Sequence, residues 1–94
     1  MSSKSSYSII YRKIAGKGKF DILSNILFAI KSGTGKTRIM NTQNLSSDKF
    51  EVYLSLLLEL GLLNSDLTSK NNYTITVKGQ QFLRDYANLK IILN

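Results

Sequence analysis

The chain has 94 residues, 43% of them apolar, with no cysteine and no histidine. That length supports one domain with a modest core, burying roughly 60–65% of the unfolded surface, and the apolar share is that of a globular protein. Without thiols or imidazoles there is no disulfide, no thiolate zinc site and no hydrolytic triad, so a metal would have carboxylates alone.

The net charge of +7 is unevenly placed. Residues 1–50 hold nine Lys or Arg against Asp21 and Asp48, whereas Lys70, Lys78, Arg84 and Lys90 balance Glu51, Glu59, Asp66 and Asp85 in residues 51–94. The whole surplus lies in the first half. A one-sided field of this kind draws polyanions, although it is equally consistent with a solvated basic surface. No apolar run approaches the roughly 18 residues of a membrane span. The opening Met1–Ser6 lacks the apolar core of a secretory signal. A cytoplasmic chain without a membrane partner is expected.

Residues 1–19 read as a flexible basic arm, in which Tyr7–Ile14 is β-branched and aromatic without a clean period. Residues 20–76 read as the folded core and 77–94 as a C-terminal helix. The first helix is predicted over Phe20–Lys31, where Ile22, Leu23, Ile26, Leu27 and Ile30 form one apolar stripe at helical spacing. Ser32-Gly33-Thr34-Gly35 stops it, with Gly33 suited to the left-handed conformation of a helix end. A short helix follows at Lys36–Thr42, turning Ile39 and Met40 inward. Ser46 is predicted to cap a third helix over Ser47–Leu60, with Asp48 in its first turn and Phe50, Leu54, Leu57 and Leu58 inside. Gly61 ends that helix. Two short strands, Leu62–Ser65 and Tyr73–Thr76, flank the polar connector 66–72 as in a hairpin. Thr76 then caps a last helix over Val77–Leu93.

The order is helix, helix, helix, hairpin, helix, an α+β chain that is mainly α. Four pieces of wording go with that order. They are Asp21–Leu27 in the first helix, Lys36-Thr37-Arg38-Ile39-Met40 opening the second, Asn44-Leu45-Ser46 leading to Leu60–Leu63, and Tyr73–Gly79. Together, over about Asp21–Leu89, they resemble an archaeal winged helix-turn-helix DNA-binding family of small dimeric chromatin-associated proteins and transcription regulators. The resemblance implies a three-helix core, a two-stranded wing and a long C-terminal helix. It also implies double-stranded DNA as the partner.

In such a fold one helix enters the major groove while its neighbour meets the backbone. The outward positions at the start of the third helix are Ser47, Asp48, Lys49, Val52 and Tyr53. Ser47 and Lys49 can donate to bases or phosphate; Tyr53 is balanced between DNA contact and plain exposure. Lys36, Thr37 and Arg38 suit phosphate contacts at a helix start. Lys70, Asn71 and Asn72 at the wing tip are expected against phosphate or the minor groove, and Arg12, Lys13, Lys17 and Lys19 of the arm along the backbone. The third helix carries Glu51 and Asp48 and no arginine, the commonest guanine reader. Modest sequence selectivity is therefore expected.

Gly33-Thr34-Gly35-Lys36-Thr37 imitates a phosphate-binding loop, but Ile30 stands where its first glycine belongs and no strand precedes it. Asp48 and Glu51 share a helix face without a third acid, the pattern of a solubilising surface. On the last helix Phe82, Tyr86, Leu89 and Leu93 recur at spacings of four, three and four, like a short heptad seam. The alternative is that Phe82, Leu83 and Tyr86 pack on the first helix of the same subunit. Leu89, Ile91, Ile92 and Leu93, however, run past the expected end of the domain and would leave an apolar patch. A homodimer through Phe82, Tyr86, Leu89, Ile92 and Leu93 is expected. The sequence thus points to a non-enzymatic, nucleoid-associated DNA-binding protein needing no cofactor or metal. The alternative is a winged-helix module for protein–protein contacts.

Overall fold

A computed structural model describes residues 19–93. Its elements are α1 (Lys19–Lys31), α2 (Lys36–Gln43), α3 (Ser47–Glu59), β1 (Leu63–Ser65), β2 (Tyr73–Ile75) and α4 (Val77–Leu93). The expected order and bounds hold to within two residues, with Lys19 now the first residue of α1 rather than the end of the arm.

Each of the first three helices closes the same way. A residue in the left-handed region follows the last turn: Gly33 at φ 80°, Asn44 at φ 54° and Gly61 at φ 76°. The next N–H then reaches back five residues, Thr34 N to Ala29 O at 2.9 Å, Leu45 N to Met40 O at 2.9 Å and Leu62 N to Leu57 O at 2.9 Å. This satisfies carbonyls that a helix end otherwise leaves bare. It also turns the chain sharply enough to fold three helices within about forty residues.

The apolar stripe of α1 supplies Leu23, Ile26, Leu27 and Ile30 to the core, where Ile39 of α2, Phe50, Leu54 and Leu57 of α3, and Leu62 and Leu63 meet it. Each such burial contributes about 1.5–3 kcal/mol relative to exposure. β1 and β2 form an antiparallel pair in the register Leu63–Ile75, Asn64–Thr74 and Ser65–Tyr73.

Thr76 joins the wing to α4. Its hydroxyl accepts from Gly79 N at 2.9 Å and donates to Gly61 O at 2.6 Å, so one side chain caps α4 and ties it to the end of α3. Gly79 sits hard against this joint. A Cβ there would lie 2.3 Å from Leu62 O and 2.6 Å from Ile75 Cγ1.

The structure corrects the seam expected on α4. Phe82 and Tyr86 stack with ring centroids 6.1 Å apart and pack inside the subunit. Tyr86 is buried, and its hydroxyl donates to Asp21 Oδ1 at 3.0 Å. Lys90 Nζ closes the clasp, 3.6 Å from the same carboxylate oxygen and 5.4 Å from the Tyr86 ring centre. The reason is geometric: α4 lies along α1, so its first apolar turns are consumed by its own fold. What remains outward is the end of the helix, with Leu89 at the edge and Ile91 and Ile92 exposed.

Candidate nucleic-acid interface

α2 and α3 are joined by Asn44-Leu45-Ser46, so the close of one helix sets the start of the next. Ser46 caps α3 by accepting from Lys49 N at 3.2 Å. α2 is different. Its N-cap is Gly35, in extended conformation and without a side-chain cap. The first amide groups of α2 are therefore left for an outside acceptor, at the positive end of the helix dipole. Thr37 and Arg38 are exposed there, and Lys36 is half-buried with its Nζ 5.3 Å from the centre of the Tyr73 ring. That contact brings the start of α2 beside the second strand of the wing.

On α3, Ser47, Lys49 and Val52 are exposed, while Tyr53 is half-buried and packed against the core. Only its outer edge is offered to a partner. Asp48, Glu51 and Glu59 are exposed as well. By helical spacing, Lys49 and Tyr53 lie along one flank of the outward face and Glu51 on the other.

The wing needs a second correction. Lys70 and Asn72 are exposed at its tip, as expected, but Asn71 is only 5% exposed. Its amide Nδ2 donates to Thr34 O at 2.9 Å and lies 3.5 Å from Ile30 O, and its Oδ1 accepts from Tyr73 N at 3.4 Å. Asn71 therefore pins the wing to the end of α1 and is not a nucleic-acid contact. Three consecutive polar residues at a turn look alike in a sequence, whereas their directions depend on Asn72, which takes φ 69°.

One wing residue escaped the sequence reading. Leu67 is 85% exposed at the tip, an apolar side chain in a connector read as polar. The tip is held in shape by Asp66, whose Oδ1 accepts from Thr68 Oγ1 at 2.6 Å and Thr68 N at 3.0 Å. Those two bonds, the hydroxyl first, hold its carboxyl below the ordinary 3.8. Arg12, Lys13, Lys17 and the Tyr7–Ile14 segment lie outside the described residues, as does the Leu93 side chain. Among the described residues no cluster of three or more acidic side chains could hold a metal ion, and no helix is long and apolar enough to cross a membrane.

The arrangement is that of a recognition helix, a preceding helix and a wing on one body. A family model described as winged helix-turn-helix matches residues 17–93. The chain belongs to the winged helix-turn-helix family. No curated protein and no solved structure matches it. Family membership points to DNA binding or regulation in general, and residues 17–93 include the wing and all of α4.

Proposed function

We propose that this winged-helix chain binds double-stranded DNA without catalysis, as a sequence-tolerant or modestly specific transcription regulator or chromatin-type protein at the nucleoid. The observation that carries the reading is the open start of α2. Uncapped amides stand there with exposed Thr37 and Arg38 and with Lys36 at the wing, and Ser47 and Lys49 are exposed on the next helix, α3. Amide and basic donors of this kind set a protein's position on phosphate. The bases are then read by the Lys49–Tyr53 flank, which is short and lacks arginine, so discrimination among sequences is modest.

The molecule acts as a homodimer through the end of α4. Leu89, Ile91 and Ile92 support this, the last two being 75% and 64% exposed. A pair of recognition helices related by two-fold symmetry would then face successive half-sites.

The test is a titration of a mixed-sequence duplex at several salt concentrations. Affinity should fall steeply as salt rises, and Lys36→Ala with Arg38→Ala should flatten the log–log slope by about 2. Absence of binding at low salt removes the DNA reading. It would favour the second reading, a protein-contact module, which the exposed carboxylates Asp48, Glu51 and Glu59 of α3 support.

A further inference from the structure

We propose that the groove between α1 and α4 of one copy receives the acidic face of α3 from a second copy, linking copies head to tail. Two partly apolar surfaces with rims of opposite charge lie on different elements. The first is a groove of about 430 Å³ between α1 and α4. Phe28, Leu83 and Ala87 line it, and Phe28 is 62% exposed although it sits mid-helix. Lys31 and Arg84 stand at its rim.

The second is the open outward strip of α3. Val52 and Leu56 form its apolar part, with Val52 67% exposed, and Glu51 and Glu59 flank them. Eight residues of helix separate the two carboxylates, a span of about 12 Å. Among the described residues the sole ion pair is Lys90–Asp21. Lys31, Arg84, Glu51 and Glu59 therefore have no ionic partner within the described part of the chain.

An amphipathic helix laid in an apolar groove is a common mode of recognition, and exposed apolar patches mark interfaces. The signs of the rims select the pairing. Groove against groove would set Lys31 and Arg84 facing their own copies, and α3 against α3 would do the same to Glu51 and Glu59. Both symmetric arrangements juxtapose like charges, which disfavours them. α3 in the groove pairs unlike charges and covers Phe28 and Val52 together. Because the two surfaces differ, each added copy leaves one of each free, and association propagates rather than closes. This proposal does not rest on the DNA reading or on the α4 dimer, but it shares Val52 with the outward face of α3, so a docked copy has that face covered.

Charge exchange in the full chain tests it without DNA present. One variant carries Glu51→Lys and Glu59→Lys; the other carries Lys31→Glu and Arg84→Glu. All four substitutions fall on exposed positions, and circular dichroism with thermal melting verifies that each variant folds. In low salt the sedimentation coefficient of the wild type should rise with concentration beyond that of a dimer, and each variant alone should lose that rise. An equimolar mixture should regain it, since a basic α3 now meets an acidic groove and the reverse. The α4 end is unchanged throughout, so a dimer through it is a constant baseline. A mixture no larger than either variant alone overturns the proposal, as does wild type whose sedimentation is independent of concentration. DNA binding is read on the wild type alone, in a separate titration, so either result can fail without the other.

Discussion

The wing base and the α2–α3 face are built from similar small polar and basic residues and use them in opposite directions. At the wing base Asn71 donates to Thr34 O at 2.9 Å and Thr76 to Gly61 O at 2.6 Å, both toward the helical body, while Ser69 closes the wing on itself by donating to Tyr73 O at 2.9 Å. On the α2–α3 face Thr37, Arg38, Ser47 and Lys49 project into solvent. A polar side chain that satisfies a buried carbonyl stabilises the fold, and its loss leaves the carbonyl stranded. An outward one contributes little until a partner arrives. Substitutions at the wing base should therefore move stability, and substitutions on the α2–α3 face should move binding alone.

The sharpest test of the first half is Gly79→Ala. A methyl group has no room beside Leu62 O, a backbone atom that cannot swing aside. We expect a loss of about 3 kcal/mol, the upper end for forced overpacking, and a melting temperature lower by at least ~12 °C. A melt within a few degrees of wild type would mean that the wing and α4 are joined loosely.

Asn71→Ala comes next, at about 2 kcal/mol, because it strands the Thr34 carbonyl and loosens β2 at Tyr73. At a temperature where the variant remains folded, its affinity for duplex should match wild type. A lower salt slope for folded Asn71→Ala would restore Asn71 to the binding surface and erase the difference between the two regions.

On the other side, Lys36→Ala with Arg38→Ala should change the melting temperature by no more than a few degrees. The pair removes the placement of half-buried Lys36 over the Tyr73 ring, a contact worth about 1 kcal/mol. It should also weaken duplex binding about tenfold or more in low salt. Equal losses of stability and binding would show that the start of α2 is structural after all.

The same contrast explains how much was legible in the residues alone. Helix order, the glycine stops at Gly33 and Gly61, and the caps at Ser46 and Thr76 follow from local rules, because each depends on residues a few positions away. The direction of Asn71 depends on a partner 37 residues distant. Tyr86 likewise bonds Asp21 across 65 residues, and a heptad spacing does not reveal whether its seam meets its own subunit or another. Gly79 gave no signal beyond being a glycine within a helix; conflict with Leu62 O exists only once the wing has folded back. The outward face of α3 was legible in composition, since carboxylates without arginine stand there in the sequence itself. The basic-rimmed groove beneath Phe28 needed α1 and α4 side by side.

The smallest expected effect lies at the wing tip and depends on pH. The Asp66 carboxylate accepts two bonds from Thr68, and its affinity for protons is lowered by them. A group whose folded value lies below its unfolded one stabilises the native state above the unfolded value, and the gain disappears as pH falls through the folded value. The Asp66 contribution should thus be complete at pH 7, start to fade as pH approaches the ordinary 3.8, and be lost as pH falls through the lower folded value. Melting curves of wild type and Asp66→Ala across that range check this, with a small gap at neutral pH that narrows in acid. A gap that stays constant down to the lowest pH would assign the effect to turn packing rather than to the charged acceptor. Leu67 would then owe its exposed position to the backbone at Asn72 instead of to the Asp66 turn.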